Sequence, residues 1–245
     1  VRLAVVIGTY NERENLTPLI DGIRRNLTGE DLRIVVVDDN SPDGTGVLAD
    51  SLAKADPRIS VIHRPGKLGL GTAMRDGIQR ALRDGAEAVA TMDADLSHPP
   101  EALPRLRNAV QSGADIALGS RYVPGGRISG WSWMRKLTSA TANTLTRVLT
   151  GSRVHDNTGN YRLVRRSVFD ALDVNAIRSE GYAWQIEFAG LAQQLGFRIT
   201  EVPIHFINRR AGASKINRSE ILRAALTILR LSVQRKKTSS GNPQR

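Results

Sequence analysis

A chain of 245 residues with 40% hydrophobic and 24% charged side chains can bury a core of its own, which excludes wholesale disorder and any need for disulfide or metal staples. The absence of cysteine excludes disulfide frameworks, Cys-ligated zinc, iron–sulfur clusters and thiol nucleophiles, and is compatible with a reducing, cytosolic setting. Charge is divided: residues 1–120 hold 14 basic and 17 acidic side chains and residues 121–245 hold 21 and 7, so the second half calls for an anionic partner, whether phosphorylated metabolite, nucleic acid or membrane surface.

In chain order, the first expected strand is Leu3–Ile7, an apolar run far too short to span a bilayer or serve as a signal peptide. Leu16, Leu19, Ile20, Ile23 and Leu27 follow at helical spacing. Ile34–Val37, Ser60–Ile62, Ala88–Met92 and Ile116–Leu118 read as further strands, and Pro99-Pro100 opens a helix carrying Leu103, Leu106 and Val110. This βα alternation predicts an α/β fold, a mostly parallel sheet with helices on both faces. After Arg121, Pro124, Gly125, Gly126 and Gly130 mark a loop. Helices are expected over Trp133–Leu149 and Ala183–Leu195, a strand over Arg198–Pro203, and a last amphipathic helix over Ser219–Gln234. Residues 1–235 are expected to form one domain and residues 236–245 a disordered basic tail.

In such sheets ligands bind beyond the carboxyl ends of the strands. The informative polar clusters fall there: Thr9–Glu14, Asp38–Thr45 and Asp93–His98. Asp93 and Asp95, one residue apart after an apolar run, suit a hard divalent cation held against a diphosphate; a solvated loop or helix cap is the bland alternative. Asp38 and Asp39 offer a second carboxylate pair for ribose or base groups, while Asp43-Gly44 reads as turn chemistry. Gly69 and Gly71 lack both Gly-Lys-Ser/Thr and a third glycine at dinucleotide spacing, so they read as close packing at a helix start. His98 reads as a local hydrogen-bonding residue and Trp184 as core; Gly159, Tyr161, Arg162 and Glu187 are open between packing and function.

The runs TYNERENL (Thr9–Leu16), VVDDNSPDGT (Val36–Thr45), LGLGTA (Leu68–Ala73), MDADLSHPPE (Met92–Glu101), GSRY (Gly119–Tyr122) and RAGASK (Arg210–Lys215) resemble the dolichol/polyprenol-phosphate mannose synthases, inverting glycosyltransferases of the GT-A fold, over residues 3–233. The resemblance implies transfer of mannose from GDP-mannose to a polyprenyl monophosphate with Mg²⁺ or Mn²⁺. It assigns Gly8, Tyr10, Glu12, Val37, Asp39, Asp93, Ala94, Asp95, Arg121, Arg209 and Lys215 to the donor, with Gly8 standing where the family has Pro. Asp93, Asp95 and Ser97 fall at metal positions, and Arg121, Arg135 and Ser139 at the acceptor phosphate, with Asp95, Arg121 and Arg135 as the catalytic set. A lipid phosphate is already an oxyanion near neutral pH, so no carboxylate base is required.

The implied location is cytoplasmic and peripheral, at the cytoplasmic face of a membrane. Attachment is expected through an anionic surface contacted by Trp131, Trp133 and Met134 beside Arg135 and Lys136, or through the last helix, where Leu222, Leu226, Leu229 and Val233 share one face and Arg223 and Arg230 another. A separate membrane-spanning partner is a further option. The alternatives are the same reaction with UDP-glucose or UDP-GlcNAc, and a non-catalytic basic module for membrane or nucleic acid. With only 4% aromatic residues for base stacking, nucleic acid is not the expected partner.

Overall fold

β-Branched runs buried on both faces need helices above and below them, and the computed structural model builds a seven-stranded sheet covered in this way. It describes residues 2–174, 177, 179, 181–208 and 225–232. The order along the chain is β1 (Arg2–Thr9), α1 (Arg13–Asn26), β2 (Asp31–Asp38), α2 (Thr45–Ala55), β3 (Ile59–His63), α3 (Leu70–Arg83), β4 (Ala88–Asp93), α4 (Leu103–Gln111) and β5 (Ile116–Ser120). There follow β6 (Arg127–Ser129), α5 (Trp133–Thr150), β7 (Arg162–Arg165), α6 (Arg166–Ala171), α7 (Tyr182–Gln194), β8 (Ile199–Pro203) and β9 (His205–Ile207). Residues 225–232 are helical.

The sheet runs β3-β2-β1-β4-β7-β5-β8, with β7 antiparallel to both neighbours and the other pairings parallel. Alternation along β1 sends Leu3, Val5 and Ile7 to the face covered by α1 and α4, and Ala4 and Val6 to the face covered by α3 and α7. α1 buries Leu16, Leu19, Ile20 and Ile23, the residues its spacing singled out. Each contributes about 1.5–3 kcal/mol of transfer free energy. α3 lies unusually close to the sheet because it carries Gly77, where a Cβ would stand 2.3 Å from Val6 Cγ1. Trp184 belongs to the core as expected, stacked on Phe188 with centroids 5.2 Å apart.

The short strands β6, β7 and β9 were not anticipated. β7 reads Arg-Leu-Val-Arg, and its arginines mask the apolar pattern while satisfying buried carbonyls: Arg162 Nε donates to Gly159 O and Arg165 Nε to Ala114 O. β6 and β9 form a separate two-stranded parallel sheet.

α5 occupies the expected residues, and Trp133 and Met134 are exposed on it as a contact with a lipid boundary requires. It buries Asn143 and Thr146 and exposes Trp133, Met134, Leu137, Leu145, Val148 and Leu149. Asn143 Oδ1 accepts the Asn157 N–H at 2.8 Å, so the inward face is held by polar contacts. In the helical segment 225–232, Ile228 and Leu231 pack inward while Leu226 and Leu229 are exposed. Arg230, expected on the basic face of a membrane-attachment helix, pairs at 2.5 Å with Glu187, whose side chain is buried in α7. That ion pair also settles Glu187 as an anchor of the last described helix. Leu222, Arg223 and Val233, like the tail 236–245, lie outside the described residues. Among the described residues, no helix is long and apolar enough to cross a membrane.

Candidate active site

Because β1, β2, β4 and β5 are parallel, their carboxyl ends open on one edge of the sheet, and the polar clusters gather there. Each of the first three ends turns through a left-handed residue: Asn11 (φ 61°), Asn40 (φ 57°) and Leu96 (φ 61°). Asparagine tolerates this region. Leucine does not, so the Asp95–Ser97 turn stores about 1 kcal/mol or more of backbone strain at the most chemically distinctive point of the chain.

Asp93 ends β4 with its side chain 30% exposed; its Oδ1 accepts from Asn160 Nδ2 at 2.9 Å. Its backbone N–H donates to His98 Nδ1 at 3.0 Å, which makes His98 the local hydrogen-bonding residue expected of it. Asp95 is buried, and its Oδ1 accepts from both the Ser97 N–H (3.1 Å) and the Ser97 hydroxyl (2.5 Å). Ser97, only 1% exposed, is thus turned toward Asp95 rather than outward. Ala94 between them is buried core. Among the described residues no three His, Cys, Asp or Glu side chains converge as a ready-made metal cage. Two carboxylates that present only oxygen fit instead the Mg²⁺ or Mn²⁺ mode in which substrate phosphates complete the shell.

At the end of β2, Asp38 is consumed by its own loop, accepting from Thr9 Oγ1 (3.0 Å), Ser41 Oγ (2.6 Å) and Ser41 N–H (3.0 Å). Asp39 meets a residue the sequence reading missed, buried Arg64, in a 2.8 Å ion contact, and also accepts the Gly69 N–H. Neither Asp39 Oδ1 nor Arg64 Nε completes a hydrogen bond. Burial pushes the Asp39 carboxyl up in spite of the arginine. Tyr10 lies under Lys67, whose Nζ is 4.2 Å from the ring centroid. Glu12 Oε2 accepts from Asn15, and Val37 turns its side chain into the core, so that it offers a ligand only backbone. Gly8 is filled from behind: a Cβ there would stand 2.9 Å from Met74 Cε. Asp43 accepts from Thr45 and from the Arg13 N–H, the turn chemistry expected of it. Gly71, where a Cβ would reach Trp184 Cβ at 3.3 Å, is the close helix-start contact read from LGLGTA.

The basic side of the edge is built on aromatic rings. Arg121, just past β5, makes a fork with fully buried Asp156 (Nε–Oδ2 2.7 Å, NH2–Oδ1 2.6 Å) and donates to Thr158. Burial alone would raise Asp156; the Arg121 guanidinium and backbone N–H, with Arg162 behind them, hold it below the usual carboxylate range. Phe206 of β9 connects the parts, touching His98 (5.6 Å), Trp131 (5.3 Å) and the Arg121 guanidinium (5.4 Å). Trp131 in turn carries Arg135, whose guanidinium lies 4.1 Å from its ring centroid and donates to Asn208 Oδ1. Trp131 is therefore partly buried against Phe206, whereas its neighbour Trp133 is exposed. One turn beyond Arg135, Ser139 accepts from the Tyr122 hydroxyl at 2.7 Å. The chain of rings puts the acidic loop and the Arg135–Ser139 face on one edge. Arg209 and Lys215 lie outside the described residues.

The family model described as "Glycosyl transferase family 2" matches residues 4–173. A polyprenol monophosphomannose synthase from Mycolicibacterium smegmatis is 50% identical over 228 residues, 93% of this chain and 85% of that protein. An undecaprenyl-phosphate mannosyltransferase from Micrococcus luteus is 42% identical over 230 residues, covering 94% of this chain and 93% of its own. The glucosyl-3-phosphoglycerate synthase of Mycobacterium tuberculosis, solved with Mn²⁺, UDP and glucosyl-3-phosphoglycerate, superposes with a TM-score of 0.68 at 18% identity over 94% of this chain and 80% of its own, a likeness of fold alone.

Proposed function

The chain belongs to glycosyl transferase family 2 and has its GT-A fold; on that premise we propose that it transfers mannose from GDP-mannose to a polyprenyl monophosphate, with inversion at the anomeric carbon. The observation that supports the reading is the run of ring contacts from His98, in the loop of the oxygen-only pair Asp93 and Asp95, through Phe206 and Trp131 to Arg135 on α5.

Asp39, with its inner oxygen against Arg64, is assigned by motif position to the ribose or guanine, beside Tyr10, Glu12 and the Val37 backbone. Asp93 and Asp95 would hold Mg²⁺ or Mn²⁺, which when bound offsets charge on the departing diphosphate. Ser97 fixes the rotamer of Asp95. Arg135 and Ser139 hold the acceptor phosphate, one oxygen of which attacks the anomeric carbon while GDP leaves from the opposite side. No proton has to be removed, so catalysis rests on positioning and charge. Arg121, locked by Asp156, acts as the rigid floor of that anion site. Arg209 and Lys215 are assigned to the donor phosphates by motif position.

The outward apolar face of α5 supports peripheral attachment at the cytoplasmic leaflet, with Trp133, Met134 and Leu137 in the headgroup boundary next to the Arg135 turn. Incubation with GDP-mannose, UDP-glucose or UDP-GlcNAc, a polyprenyl phosphate and Mg²⁺ or Mn²⁺, followed by lipid extraction, tests the reading. Lipid-soluble mannose from GDP-mannose alone is the expected result. Turnover of only a UDP-sugar would replace the donor, and no transfer from any donor would overturn the reaction.

A further inference from the structure

The register of β7 against β4 pairs Thr91 with Arg162, and carried two residues further it sets Asn160 opposite Asp93. Asn160 is buried, and its backbone carbonyl accepts from Thr91 Oγ1 at 2.6 Å. A carboxylate only accepts hydrogen bonds, so the Asn160 amide must turn its NH₂ toward Asp93, where Nδ2 lies 2.9 Å from Oδ1. That leaves Asn160 Oδ1 facing α7, and there Gln185, 1% exposed, donates its Nε2 at 2.6 Å. The Asp93 end fixes the orientation of Asn160, because reversing its amide would set oxygen against oxygen there, and Gln185, whose buried Oε1 has no hydrogen-bond partner, presents the matching NH₂ to Asn160 Oδ1. The second Asn160 N–H faces Met74 Sδ at 3.7 Å, and Met74 has its place because Gly8 lacks a Cβ.

We propose that Asn160 is a positioning residue for Asp93, oriented in its turn by Gln185, so that one carboxylate oxygen is held inward and the other is presented to a divalent cation. The inference rests on the reading of Asp93 as a cation carboxylate. It extends that reading to two residues that neither the acidic motif nor a surface survey picks out, because both are buried. Hydrogen-bonded supports of this kind fix the ligand's rotamer before the cation arrives, and their loss lowers metal affinity by roughly 10–100-fold.

The test is Mn²⁺ binding followed by electron paramagnetic resonance in the presence of GDP, on the whole chain and its Asn160→Ala, Gln185→Met and Asp93→Ala variants, with thermal melts alongside. Asn160→Ala and Gln185→Met are expected to weaken Mn²⁺ binding by about tenfold or more and to raise the Mn²⁺ needed for half-maximal transfer, leaving KM for polyprenyl phosphate unchanged. The double variant is expected to be no weaker than Asn160→Ala, since Gln185 acts through Asn160. Gln185→Met keeps the buried volume and carries the test if the alanine variant melts below the assay temperature. Wild-type Mn²⁺ affinity in both folded variants, with binding lost in Asp93→Ala, overturns this proposal alone. Retained binding in Asp93→Ala overturns the reading on which it rests.

Discussion

α1 and α5 are amphipathic helices of 14 and 18 residues built inside out with respect to each other. α1 buries leucines and isoleucines and leaves charge outside; α5 buries Asn143 and Thr146 and leaves Trp133, Leu137, Leu145 and Val148 outside. Periodicity finds both helices and cannot say which face turns inward. The inward face of α5 is polar: it meets the Asn157 N–H and the Tyr122 hydroxyl, contacts supplied by the segments that follow and precede the helix. A helix of the first kind stabilises the fold. A helix of the second kind carries Arg135 and Ser139, which we propose hold the acceptor phosphate, and leaves exposed the apolar face that we propose meets the lipid.

The largest effect separates chemistry from scaffold. Asp95→Ala is expected to lower transfer by about 10²–10³-fold, with EDTA acting alike on the wild type, while circular dichroism still reports a folded sheet. Full activity without added metal would detach the acidic edge from the reaction. Next comes Asp156→Ala, which leaves Arg121 buried without its fork and should cost about 3–5 kcal/mol in urea unfolding. The folded-state pKa of Asp156 is lowered, so its contribution is complete above the ordinary carboxylate pKa and is lost as pH falls through the lower folded value. Stability curves of wild type and Asp156→Asn should therefore converge on acidification.

The comparison of the helices is sharpened by matched truncations. Leu19→Ala in α1 should destabilise by about 2–5 kcal/mol, and Leu145→Ala in α5, 49% exposed at the wild-type leucine, by within about 0.5 kcal/mol. Equal losses would mean that α5 is covered by protein. A smaller effect is expected from Arg135→Ala: roughly a tenfold rise in KM for the lipid phosphate, with GDP-mannose affinity by isothermal titration nearly unchanged, as for one charge-assisted contact.

Much of this was legible from residues alone. The parallel strands and the helices α1, α4, α5 and α7 follow from β-branched runs and 3.6-residue spacing, and the acidic clusters fall at strand ends as the alternation requires. β7 escaped because two arginines in a four-residue strand break the pattern, one bonded to the local carbonyl of Gly159 and the other to that of Ala114, 51 residues away. Arg64, Asn160, Gln185 and Asp156 escaped because single polar residues acquire meaning only when folding closes 25 to 67 residues of separation, as between Gln185, Asn160 and Asp93. Gly159, Tyr161 and Arg162 stood in a run whose sequence marked it as unusual, and that was the available signal.

The most direct test of the central claim, that one side of α5 meets lipid while the other meets the reacting phosphate, uses two forms of acceptor. Wild type and the combined Trp133→Ala, Leu137→Ala, Leu145→Ala variant would be compared on polyprenyl phosphate embedded in anionic vesicles and on a short, water-soluble prenyl phosphate. The account predicts that the variant keeps its rate on the soluble acceptor and loses most of it on vesicles, together with co-sedimentation. Equal rates on vesicles, or equal loss on both acceptors, would contradict it.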